Sequence, residues 1–176
     1  MQNIIVGTWG IGPSYRRRVK LSIEEAINSG YDNILPYIIL TDQPEYFYEL
    51  QDKTKKIIDI INIHDVREKY SPWSVDYEYI SKEQTEEKYS EDYNKHRDIG
   101  KRFSYGAHRF YLPRISELGY NKFLHCDSDY WIRYDKIVDG SIKETDFWNE
   151  FNTPVNTMKG TGYTVYLPDN LWTQTM

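Results

Sequence analysis

The chain has 176 residues, enough for one domain with a core of its own, and although only 39% of them are hydrophobic, the 16% that are aromatic, including seventeen Tyr and five Trp, supply much of the core volume. A net charge of −5 argues against a general nucleic-acid binder, which needs a basic face. The single cysteine, Cys126, excludes an internal disulfide and fits a reducing compartment, while no apolar run approaches the ~20 residues of a membrane span and Met1-Gln2-Asn3-Ile4 opens no signal peptide, so a soluble, cytoplasmic protein is expected.

Ile4 to Thr8 is a β-branched apolar run and reads as the first strand, broken by Trp9-Gly10-Ile11-Gly12-Pro13. Ser14 is a suitable helix N-cap, after which Tyr15, Val19, Ile23, Ala26 and Ile27 fall at helical spacing up to a stop at Gly30. The glycines here form neither a phosphate loop nor a dinucleotide fingerprint. Arg16-Arg17-Arg18 is either a solvated helix face or a source of one arginine for a diphosphate.

Asn33 to Leu40 reads as a second strand with Pro36 near its start, ending at Thr41-Asp42-Gln43-Pro44. A short helix from Glu45 to Gln51 and a third strand from Lys56 to Ile63 follow. Strand, helix and strand in this order predict a parallel βαβ unit. Residues 68–98 are charged and rich in tyrosine, either a solvated insertion or a lid that closes over a sugar.

Phe103, Ala107, Tyr111 and Leu118 share one helical face, with a kink or new turn at Pro113 and a stop at Gly119. Phe123, Leu124 and Cys126 then form a short buried strand running into Asp127-Ser128-Asp129. Alternate residues of an extended chain face the same way, so the two carboxylates can point to one side. Paired oxygen ligands at a strand's carboxyl end suit a hard divalent cation that takes the rest of its shell from water and phosphate; the alternative is that the two aspartates only open a turn. Trp131 and Ile132 read as continued strand, Asp146 to Phe151 as a short helix, and Thr157 to Leu167 as a late hairpin or strand. His108 and His125 read as structural histidines, with His125 facing opposite to Cys126.

The segment Phe103 to Pro113, with Arg109, followed by Phe123-Leu124-His125-Cys126-Asp127-Ser128-Asp129, resembles the metal-site region of retaining glycosyltransferases of the GT-A fold, in the glycogenin and galactosyltransferase-like group (family 8). Tyr37-Ile38-Ile39-Leu40-Thr41-Asp42-Gln43-Pro44 is similar to the second strand of the blood-group transferase group (family 6), and the first strand with Tyr15 to the uracil-binding start of both. The resemblance spans residues 3–48 and 101–134.

It implies an α/β nucleotide-diphospho-sugar transferase fold, with a Rossmann-like, mostly parallel central sheet flanked by helices, as a single domain over residues 1–176 with a short C-terminal part. It also implies Mn²⁺ or Mg²⁺ as cofactor, a UDP-sugar donor, transfer with retention, and a glycan, lipid or other hydroxyl acceptor; oligomerisation is left open. Asp127 would contact the ribose and reach the metal through water, and Asp129 would ligate it directly. Arg109 would pair with Asp127 or with the donor, or form a structural salt bridge. Thr8, Trp9, Tyr15, Asp42 and Ser128 complete the candidate nucleotide pocket, with Trp9 either stacking on the base or serving as ordinary packing after the first strand. Family 8 enzymes usually add a downstream histidine ligand, whereas His64, His96, His108 and His125 all precede Asp129, so a shortened or replaced C-terminal segment, or a site completed by another chain, is expected. A nucleotidyltransferase on a similar sheet and a non-catalytic carbohydrate- or partner-binding remnant are the alternative functions.

Overall fold

The structure, a computed structural model, describes residues 4–65, 113–120, 122–126, 128 and 131–149, and the backbone of 150–152 and 162–166. The charged stretch 68–98, the Arg109 segment, Asp127 and Asp129 lie outside the described residues.

Five described strands form one sheet: β1 (Ile4–Gly10), β2 (Tyr37–Thr41), β3 (Ile58–Asn62), β4 (Lys122–Cys126) and β5 (Gly162–Tyr166), in the order β3-β2-β1-β4-β5. The first four run parallel, and β5 pairs antiparallel with β4. The chain is therefore α/β with a mostly parallel central sheet.

The alternation of strand residues explains its two layers. Ile4, Val6, Tyr37, Ile39, Ile58, Leu124 and Cys126 point to one face, where they pack with Val19, Ile23 and Ala26 of α1 (Pro13–Asn28). The same core takes in Leu50 of α2 (Tyr48–Asp52), Tyr134 just before α3 (Asp135–Val138), and Phe147 of α4 (Glu144–Asn152). Full burial of a side chain such as Val19 or Ile23 is worth about 1.5–3 kcal/mol, which is how an arginine-rich helix is held to the sheet. Residues 113–117 are helical and are fastened to the opposite face, where the Arg114 guanidinium grips Asp59 of β3 through two bonds of 3.1 Å. Gly119, at φ 85°, ends that turn and leads into β4.

Several boundaries differ from the sequence reading. Trp9 and Gly10 do not break β1 but extend it, because Leu40 and Thr41 of β2 stand opposite them. The helix α1 is not capped by Ser14: Pro13 occupies its first turn, preset for helical φ, and Gly12 precedes it at φ 90°, a conformation that side chains disfavour. Pro36 stands just before β2, and its carbonyl accepts from the Val6 amide at 2.8 Å. Trp131 and Ile132 are not strand; Trp131 is exposed, and the chain turns so that Tyr134 enters the core, where its hydroxyl accepts from the Leu35 amide at 2.9 Å. The late strand is β5, paired to β4.

Candidate functional site at the strand ends

From β1 the chain first builds outward through β2 to β3, and β4 is then added on β1's other side. The reversal lies between β1 and β4. In open α/β sheets such a switch point, at the strands' carboxyl ends, is where ligands bind, because the connecting loops diverge and leave a crevice. Thr8, Trp9 and Gly10 end β1 there, Thr41 ends β2, and Cys126 ends β4. The amino end of α1 faces the same edge and contributes the positive end of its dipole.

Asp42 organises the junction of β1, β2 and α1. Arg16 Nη1 donates to Asp42 Oδ1 at 2.8 Å and to Oδ2 at 2.7 Å, and the Gly12 amide donates to Oδ1 at 3.2 Å. Both side chains are largely shielded, with 12% of Arg16 and 4% of Asp42 exposed. Beside them the Thr41 hydroxyl donates to the Gly10 carbonyl at 2.7 Å and accepts from the Gln43 amide at 3.2 Å. The Arg16 guanidinium also lies 5.8 Å from the Tyr46 ring centre, although its Nε is buried without a hydrogen-bond partner among the described residues.

Gly10 permits the close approach. A Cβ there would stand 3.2 Å from both the Arg16 Cα and the Phe47 ring. Trp9 is buried and its ring centre lies 4.8 Å from that of Tyr15, which is only half-buried in the first turn of α1. Of the two aromatics, Tyr15 is the more exposed, and the Arg18 guanidinium lies 5.9 Å from its ring centre.

The candidate residues are thus distributed as follows. Thr8, Trp9, Tyr15 and Asp42 lie at the carboxyl edge, with Asp42 already engaged by Arg16 and Gly12. Ser128, two residues beyond β4, is buried. Arg109, Asp127 and Asp129 lie outside the described residues. His125 is buried on the face opposite Cys126, as the strand period requires. Arg16, Thr41 and Gly10 were not singled out as a unit by sequence reasoning. The available signal was an acid directly after the second strand and an arginine one turn into the first helix, both destined for the same edge.

A separate cavity of about 820 Å³ opens at the opposite pole, lined by Asn33, Leu35, Lys56, Tyr120 and Trp148 among others. Those residues surround the amino ends of β2, β3 and β4, a strand length away from the switch point. Among the described residues, no helix is long and apolar enough to cross a membrane.

No protein-family model matches the chain, and no curated protein sequence matches it. A structural likeness exists to the mannosyltransferase Ktr4p from S. cerevisiae, solved in complex with GDP, at 17% identity and a TM-score of 0.40, covering 82% of this chain. The chain spans 38% of that protein's length.

Proposed function

We propose that this chain is a metal-dependent glycosyltransferase that moves a sugar from a nucleotide-diphosphate donor, a UDP-sugar, to an acceptor hydroxyl with retention. The observation that supports it most is positional. β4, the strand that precedes Asp127-Ser128-Asp129 in the sequence, is the one added across the switch point from β1, the strand whose end leads into α1. In open α/β sheets, the segment that follows a strand beside the switch point is where nucleotide ligands are commonly held, which supports reading the carboxylate pair as a ligand site.

The residue roles follow from charge. Asp127 and Asp129 would hold the divalent cation, which supplies charge neutralisation for the diphosphate as it becomes the leaving group. Tyr15, backed by the buried Trp9, offers a flat surface to the nucleobase. The amino end of α1 favours the donor's negative charge. Arg109 would pair with Asp127 or with the donor.

A donor panel tests the reading. Purified protein is incubated with UDP- and GDP-sugars with and without Mn²⁺, and released nucleoside diphosphate and free sugar are followed by mass spectrometry. The expected result is Mn²⁺-dependent hydrolysis confined to UDP-sugars. Pyrophosphate formation from a nucleoside triphosphate and a sugar phosphate, with no hydrolysis of any nucleotide sugar, would replace the reading with a nucleotidyltransferase.

A further inference from the structure

We infer that Asp42 and Arg16 form a clamp that positions the nucleobase platform of Tyr15 and Trp9 without touching the donor. The inference rests on the proposed nucleotide site and assigns to Asp42 an indirect role. Its carboxylate is already committed: Arg16 takes both oxygens, the Gly12 amide takes Oδ1 again, and almost none of the side chain is open to solvent. With 4% of the side chain exposed, a ribose hydroxyl could reach it only if the residues that shield it moved aside.

What the pair does control is the β1–α1 connection. That connection is gripped at the Gly10 carbonyl by Thr41, at the Gly12 amide by Asp42, and at the first turn of α1 through Arg16. Tyr15 adjoins Arg16 in that turn, and Trp9 adjoins Gly10 at the end of β1, so the grips bracket both rings. Gly12, at φ 90° with no side chain, contributes no cap of its own, so Asp42 fixes the entry of the helix from outside. Moving the first turn by a fraction of an ångström moves the Tyr15 ring with it.

A double-mutant cycle separates this role from direct contact. UDP affinity in the presence of Mn²⁺ is measured by calorimetry for the wild type, Asp42→Asn, Arg16→Met and the double variant, with amide exchange at Gly12 followed in the ligand-free proteins. The clamp predicts that each single variant weakens UDP binding by about tenfold, the loss of one well-placed stacking contact. It further predicts that the double variant is no worse than either single one, and that Gly12 exchange accelerates in all three while exchange at Val19 and Ile23 stays slow. Arg16→Lys, which keeps one charged nitrogen for the Asp42 carboxylate, as Arg16 uses Nη1 alone for both oxygens, should recover part of the affinity. Loss of binding in Asp42→Asn with none in Arg16→Met would mean that Asp42 touches the ligand, and would overturn the inference. Unchanged Gly12 exchange in the variants would overturn it too. Wild-type protein that binds no nucleotide would refute the proposed function instead, and the exchange data would still decide the clamp. Should Arg16→Met or the double variant lose slow exchange at Val19 and Ile23, the decision passes to Asp42→Asn: slow exchange at Gly12 would refute the clamp, and fast exchange confined to Gly12 would support it.

Discussion

Thr8 and Cys126 stand opposite each other at the last pairing that β1 shares with β4. Beyond that point β1 runs on through Trp9 and Gly10, paired among the described residues with β2, while in the sequence β4 is followed by Asp-Ser-Asp. The two strands part at the switch point, and the Cys126 thiol closes the core just beneath it, 3% exposed and packed on the side of Tyr37 and Tyr134.

Cys126 is therefore expected to be inert in the folded protein, since thiol reagents need an accessible thiolate. Reaction with Ellman's reagent should be negligible under native conditions and stoichiometric in denaturant. Rapid stoichiometric labelling of the native protein would show that the end of β4 is open.

Tyr134 ties the segment after β4 to the entry of β2 through the bond from the Leu35 amide. The substitution Tyr134→Phe keeps the ring and its packing but leaves a buried amide unpaired, at a cost of about 1–3 kcal/mol. Urea denaturation should show a lower midpoint with an unchanged slope. An unaltered midpoint would mean that the Leu35 amide finds water.

Alkaline stability should fall steeply for a related reason. Burial pushes the Tyr37 hydroxyl well above the ordinary tyrosine value, and burial likewise raises that of Tyr134. In the unfolded chain both ionise at about pH 10. Above that the folded state holds more protons than the unfolded one, so each group removes about 1.4 kcal/mol of stability per further pH unit, and below it the contribution is fully present. Urea midpoints measured from pH 9 to 11.5 should decline, and Tyr37→Phe should decline less steeply. Parallel declines in the two proteins would contradict this assignment.

Gly10 should resist even the smallest side chain. The added Cβ of Gly10→Ala meets the Arg16 backbone and the Phe47 ring at 3.2 Å, and neither is the free end of a flexible chain. Overpacking of this kind costs about 1–3 kcal/mol. Denaturation should show that loss; a wild-type midpoint would mean that α1 can step back from β1 freely.

The sheet was legible because its signals are local. Ile4 to Val6, Ile38 to Leu40 and Phe123 to Leu124 are apolar runs of strand length, and a buried parallel sheet needs nothing more. Strand ends were less legible because pairing partners fix them: Trp9 and Gly10 look like a break until Leu40 and Thr41 are placed beside them. Ser14 was a plausible cap by composition, but the Asp42 carboxylate thirty residues from Gly12 sets the start of α1, and no local window contains that contact. At the site, the edge on which Thr8, Trp9, Tyr15 and Asp42 lie followed from strand order and helix start, whereas the engagement of Asp42 by Arg16 required the fold.

The central claim, a divalent cation held at the Asp-Ser-Asp segment for a nucleotide diphosphate, is tested most directly by calorimetric titration of UDP with and without Mn²⁺ for wild type and Asp129→Asn. Asparagine keeps the size of the side chain and its capacity for turn hydrogen bonds but removes the charge that holds a hard cation. The account predicts Mn²⁺-dependent UDP binding by the wild type and its loss in the variant, with the unfolding midpoint of the variant unchanged. Equal Mn²⁺-dependent binding by both proteins would contradict it.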